Sequence, residues 1–169
     1  MADVRIYVAC LAAYNQGILH GKWIDALQSP DDIMDDIIQM LASSPIPDAE
    51  EWSILDFEGF GSYQLDEHTG IKTISEMANL IVEHGKLFIA VFEYYGDIDT
   101  TVTALENNYH GEHDSELDFA TELFDDCYLH DIPETLRYYV DYHAFARDLF
   151  ISDYFSVTVD YRVHVFSSY

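Results

Sequence analysis

Carboxylates are the one reactive group that this sequence offers in quantity, and they are concentrated between Leu87 and Leu136. Glu93, Asp97, Asp99, Glu106, Glu112, Asp114, Glu116, Asp118, Glu122, Asp125, Asp126, Asp131 and Glu134 all fall there, and no Lys or Arg stands between Lys86 and Arg137. Neighbouring carboxylates can act as general acid and base, ligate a hard cation, or hold negative charge in place. The first use is not indicated, because a chain with 32 Asp and Glu residues contains pairs such as Asp125 and Asp126 by chance. The second fails on spacing. Asp97-Ile98-Asp99 opens like a calcium loop, but Val102 and Asn108 stand where the essential glycine and the final glutamate belong. His110, His113 and Asp114 have no second ligand cluster at a recognised spacing and read as solvated loop residues. No G-x-S-x-G, G-x-x-x-x-G-K or Gly-rich phosphate loop is present. The sequence therefore points away from an enzyme and calls for no cofactor and no metal. Held negative charge is the use that remains.

Holding charge in place requires a fold, and the composition supplies one. Hydrophobic residues make up 49% and aromatic residues 15%, too much apolar material for a disordered acidic tail. The net charge of -25 would strain a compact sphere, so an elongated body is expected. Such a chain should bind neither nucleic acid nor an anionic membrane, since both are held by Lys and Arg, and its natural partner is a basic surface. Cys10 and Cys127 belong to no C-x-x-C pair, which indicates neither a disulfide framework nor a zinc site. The first residues show no signal-peptide pattern, and the longest apolar run, Leu87 to Phe92, is too short to span a bilayer. A soluble protein of the cytoplasm is the expectation.

The elements that must position the acids follow from periodicity and turn chemistry. Val4 to Leu11 predicts a strand, Asn15-Gln16-Gly17 a turn, and Ile18 to Ile24 the returning strand, with Gly21 beside Trp23 either a point where backbone passes close to a large ring or, as the preferred reading, a plain packing glycine. Ser29 as cap, Pro30 at the first helical position and Asp31 and Asp32 at the positive end open a helix. Its expected apolar stripe is Ile33, Ile37, Ile38 and Leu41, and Asp35 and Asp36 extend its acidic half. Trp52 to Phe57 predicts a further strand, closed by a turn at Glu58-Gly59-Phe60-Gly61. Thr73 with Glu76 predicts a capping box and a helix that stops at Gly85. Leu87 to Tyr95, a short apolar aromatic run, fits either a strand or a buried helix and is taken as helix, as is Asp97 to Asn108 with Ile98, Val102 and Leu105 on one face. His110-Gly111 should break that helix, and Asp114 or Ser115 opens another with an outer face almost wholly carboxylate. Pro133 starts a helical segment from Glu134 to about Phe150, and the alternation from Phe155 to Val165 predicts a terminal strand. The architecture expected is α+β, mixing antiparallel strands and helices in three small sub-domains, 1–62, 63–109 and 110–169. The middle one is mainly helical. Tyr138, Tyr139, Tyr142 and Phe145 cluster on the last helical segment, where exposed aromatics would suit a subunit interface.

Duplex DNA is a physical object with regularly placed negative charge on a rigid elongated body. At one charge per roughly 1.7 Å of axis, a chain of net -25 matches about 43 Å of duplex. A solubilising acidic coat, an adaptation to high salt and an acidic metal-dependent enzyme are the competing readings. A combination of residues favours mimicry over them. Ile6-Tyr7-Val8-Ala9 is followed by Tyr14-Asn15 with Gly17, Leu19, Gly21 and Trp23, then by Asp56-Phe57-Glu58-Gly59-Phe60. Ile132-Pro133 with Leu136, Tyr139, Asp141-Tyr142, Ala144 and Arg147-Asp148-Leu149 completes it. In these residues the sequence resembles the ArdA-type antirestriction proteins, DNA mimics carried by bacterial plasmids and transposons. The stretch from Thr69 to Glu112 matches in character more than in residues.

The resemblance implies an elongated three-part monomer that forms a homodimer through its C-terminal part, with Tyr138, Tyr139, Tyr142 and Phe145 as interface residues. It also implies occupation of the DNA-binding groove of a type I restriction-modification enzyme, so that incoming mobile DNA is protected. The residues expected to take the place of phosphates are Asp31, Asp32, Asp35, Asp36, Asp97, Asp99, Glu106, Glu112, Asp114, Glu116, Asp118, Glu122, Asp125, Asp126, Asp131 and Glu134. A mimic aimed at a gyrase, a nucleoid protein or another nuclease would carry the same charge and differ only in its partner.

Overall fold

Alternating Ile, Val and Ala place β1, Arg5–Cys10, at the centre of an antiparallel sheet, with β2, Gly21–Asp25, on one side and β3, Trp52–Glu58, on the other. The structure, a computed structural model, describes residues 3–168. The pairing sets Ile6 against Ile24 and Val8 against Ile54, which are buried in the core. Between β1 and β2 the chain does not turn directly. It first makes a short helix, α1, Leu11–Tyr14, so that Ile18 and Leu19 are exposed and the returning strand begins only at Gly21. That residue is more than a packing glycine: a Cβ there would come 2.5 Å from the Val8 carbonyl oxygen and 2.9 Å from the Tyr7 ring. Tyr7 thus lies over the glycine and reaches the Trp23 ring, 5.4 Å away between centroids.

Helix α2, Pro30–Ala42, packs on this sheet and begins as its sequence dictates, with the Ser29 hydroxyl accepting from the Asp32 N–H. Its buried stripe is Ile33, Ile37 and Met40. Ile38, expected in that stripe, is 57% exposed, because it sits one residue round the cylinder from Ile37. Helix α3, Ile71–His84, follows and packs against α2. It starts at Gly70 without a side-chain cap, ahead of the expected Thr73 box, because the earlier start brings Ile71 and Ile74 into the core. Gly85, at φ 64°, ends it as expected.

The chain divides into two compact units, the first reaching to Ile89 and the second beginning at Ala90. The division falls inside α4, Lys86–Tyr95. Of the segment 63–109, α3 therefore belongs to the first unit and α5, Ile98–Asn107, to the second. In α5 the most buried residues are Thr101 and Ala104, while Ile98, Val102 and Leu105 are half-buried. The small residues face inward and the branched ones flank them, a rotation of the expected face.

Three further expectations for the second unit change. His110-Gly111 follows the end of α5 as expected, but His110 and His113 lie not in a solvated loop but in a strand, β4, Tyr109–His113, with an irregular register. Glu134 to Phe150 is not one helix. A 3₁₀ segment, Glu134–Tyr139, ends at Val140, and Asp141 caps a separate α7, Tyr142–Ser152, by accepting from the Ala144 N–H. The terminal alternation is a hairpin, β5, Tyr154–Val159, and β6, Arg162–Ser167, turned at Asp160 and Tyr161 with φ 49° and 67°. Two left-handed residues suit the twist of a tight hairpin, but an Asp-Tyr pair does not announce it as Asn-Gly would. The sheet order is β4-β6-β5. Against it pack α6, Glu116–Cys127, and α7, through a core of Phe119, Ala120, Ala146, Phe155, Val165 and Phe166.

Candidate functional site

In the first unit the acids of interest lie on α2. Asp31 and Asp32 occupy its first turn, where the unpaired N–H groups favour negative charge, and both are exposed together with Asp35. Asp36 differs from these three. Gln28 Nε2 donates to one of its oxygens at 3.1 Å and Lys22 Nζ to the other at 3.0 Å. Those bonds, Gln28's foremost, hold its carboxyl below the usual range, so Asp36 is ionised but already partnered.

In the second unit Asp97 caps α5, accepting from the Thr100 hydroxyl at 2.6 Å and the Thr100 N–H at 2.8 Å. These bonds lower its pKa. Asp99 and Glu106 are exposed on the same helix. Helix α6 carries the densest set. The Ser115 hydroxyl accepts from the Asp118 N–H, Phe119 and Ala120 turn inward, and Leu123 and Phe124 are half-buried. Glu116, Asp118, Glu122, Asp125 and Asp126 are left facing solvent. Asp118, Glu122 and Asp125 recur at helical spacing, so they form one stripe. Glu116 accepts from the Ser156 hydroxyl at 2.7 Å and Asp125 from the Tyr142 hydroxyl at 2.5 Å, the latter raising the Tyr142 pKa. Asp131 and Glu134 are exposed in the 3₁₀ segments Leu129–Asp131 and Glu134–Tyr139.

Sequence reasoning missed the counter-charge of this face. The acidic block holds no Lys or Arg of its own, yet Arg162 of β6 is ion-paired with Asp114 and lies 3.9 Å from Glu112. His164 approaches Glu112 at 3.9 Å and His113 approaches Glu122 at 3.8 Å. The signal lay in the pairing of β4 with β6, which becomes legible only once His110 to His113 is recognised as strand. His164 is held below the ordinary imidazole value by burial, which outweighs the pull of Glu112. Its neutral form is thus favoured by folding. That stability is fully present above the unfolded value of about 6.5 and is lost as the pH falls through the lower folded value.

Of the four aromatics on the last helical segment, Tyr138 and Tyr139 are 93% and 83% exposed. Tyr142 and Phe145 instead pack within the unit, with ring centroids 5.4 Å and 5.1 Å from that of Phe124. Cys127, at the end of α6, is exposed, whereas Cys10 is buried. Among the described residues, no group of three or more His, Cys, Asp or Glu side chains is placed to hold a metal ion. Also among them, no helix is long and apolar enough to cross a membrane.

What this arrangement can do chemically is present many ionised, solvent-facing carboxylates on short capped helices. The family profile described as antirestriction protein (ArdA) matches residues 6–163, nearly the whole chain. No curated protein matches the sequence.

Proposed function

We propose, from the premise that this chain belongs to the ArdA antirestriction protein family, that it blocks restriction by presenting carboxylates in place of DNA phosphates. The target in this reading is the DNA-binding groove of a type I restriction-modification enzyme, occupied in the cytoplasm by competition rather than by chemistry. One observation carries it: the solvent-facing stripe of α6, with Asp118, Glu122, Asp125 and Asp126. From Asp118 to Asp126 the helix rises about 12 Å, a length over which duplex DNA carries about seven charges. Four carboxylates supply over half of that density, and Glu112, Glu116, Asp97, Asp99, Glu106, Asp131 and Glu134 are further acids of the same unit that can add to it, with Asp114 contributing less because Arg162 already pairs with it. Asp31, Asp32 and Asp35 offer the corresponding charges in the first unit.

Competition tests this directly. The protein should displace duplex DNA from a purified type I methyltransferase core. Its direct binding to that core should weaken by at least about tenfold from about 50 mM to about 200 mM salt, because exposed charges attract through a screened field. Binding unchanged across that range would rule out the electrostatic mechanism. If the core is ignored while a gyrase or nucleoid protein is captured with the same salt dependence, mimicry stands with a different target.

The active form in this reading is a homodimer that pairs through the bare rings of Tyr138 and Tyr139, with Tyr142 and Phe145, which pack on Phe124, as further members of the interface. Aromatic rings exposed to this degree are better used against a partner surface than against water. Sedimentation should show a dimer that weakens when Tyr138 and Tyr139 are both replaced by Ser. A monomer at every concentration would remove the dimer from this account.

A further inference from the structure

Beneath the acidic face of the second unit lie groups that can cancel part of its charge. His164 on β6 directs Nε2 toward Glu112 at 3.9 Å, and its Nδ1 lies 2.7 Å from the Tyr109 hydroxyl. His113 on β4 directs Nδ1 toward Glu122 of α6 at 3.8 Å, while its Nε2 lies 3.0 Å from the His110 carbonyl oxygen, to which it donates. The two imidazoles are mostly covered, with 12% and 16% of their side-chain surface exposed, whereas Glu112 and Glu122 keep 56% and 67%. Each imidazole therefore sits behind a carboxylate that a partner would meet first. The other charged or titratable groups around them are Arg162, Tyr109, His110, Asp114, Asp126 and Tyr154. Arg162 is the fixed member of this set.

We propose that His113 and His164 are the titratable counter-charges of the acidic face, and that protonating them weakens its hold on a basic partner. The inference rests on the reading of that face as the partner-binding surface and names the residues that tune it. An imidazolium at these distances offsets one carboxylate. A basic groove brought against Glu112 and Glu122 competes for those same carboxylates, so docking must expel the protons. By linkage, affinity falls as the pH drops through the imidazole range. Burial delays the proton on His164, so its share of the loss comes at the acid end of the range.

The test compares the wild type with the H113Q/H164Q double variant. Glutamine keeps a polar side chain at each site without a charge that titrates. Binding to a type I methyltransferase core is measured at pH 8.0 and pH 5.5 at one salt concentration, with folding checked by circular dichroism at both. The partner's own titration is common to both proteins and cancels in the ratio. Across the interval, wild type should lose about fivefold more affinity than the variant, two exposed charge interactions being worth about that much. Equal losses would overturn the proposal. Should the variant fail to fold, the imidazole resonances of the wild type are titrated alone and with the core. Those of His113 and His164 should move to lower pH on binding, and unmoved midpoints would overturn the proposal. Absence of binding by the folded wild type at pH 8.0 would instead remove the functional reading itself, and this proposal with it.

Discussion

Replacing Asp118 and both Asp125 and Asp126 by Asn, together with Glu122 by Gln, should weaken inhibition of a type I enzyme by about fiftyfold or more. Each single replacement should cost about threefold. The expectation follows from where these side chains are. All four are exposed on α6, so each contributes one share of a screened field, and the shares multiply in the binding constant. An active-site carboxylate behaves oppositely, since no neighbouring field can replace a general base or a metal ligand. The amides preserve shape, and the Asp125→Asn change keeps a carbonyl oxygen to accept from the Tyr142 hydroxyl. The Ser115 cap accepts from the backbone N–H of Asp118, which the amide replacement leaves untouched. Inhibition constants for the four single variants and the quadruple, with helicity checked for each, decide the matter. A collapse in one single variant with the other three silent would overturn the distributed-charge account.

Phe119→Ala should cost about 3 to 5 kcal/mol of stability. Phe119 is 7% exposed, and its ring meets those of His113 and Tyr154, both at 5.1 Å between centroids, and of Phe150 at 6.0 Å. It joins the inward side of α6 to β4, α7 and β5, so truncation leaves a cavity bounded by rings that cannot easily collapse into it. The consequence reaches the functional face, because this same residue fixes which side of α6 turns outward. Urea unfolding followed by circular dichroism measures the loss. A change below about 1 kcal/mol would mean that the ring cluster is not what holds α6.

Much of this was legible in the residues because local chemistry and burial agreed. Ser29, Pro30 and the two aspartates announce α2, where the cap bond forms as expected, and Asp114-Ser115 announces α6, where Ser115 is the one of the two that caps. The outward acids of α6 could be placed because the helical period leaves only one side for them. The failures share a cause, which is that pairing partners distant in sequence decided the outcome. The stretch from His110 to His113 looks like a loop until β6 arrives beside it, and the terminal alternation hides a turn at Asp160 and Tyr161 that only the sheet reveals. Ile38 and the early start of α3 were settled by which side chains the sheet and the neighbouring helix could cover, not by propensity. For the candidate site, exposure of the acids was readable from the block without cations. The exceptions were not: Lys22 on Asp36 and Arg162 on Asp114 are tertiary matches, invisible to spacing.

Cys127 closes α6 one residue after Asp126 and is exposed, while the chain's other cysteine, Cys10, is sealed in the core. The natural protein thus carries a single addressable thiol at the edge of its charged stripe. A maleimide dye attached there would report docking by a change in its emission, with no engineered cysteine and no loss of a carboxylate. The size of the label then acts as a ruler. A small dye that leaves the affinity intact while a bulky one abolishes it would put the margin of the contact surface within a few ångströms of the end of that helix.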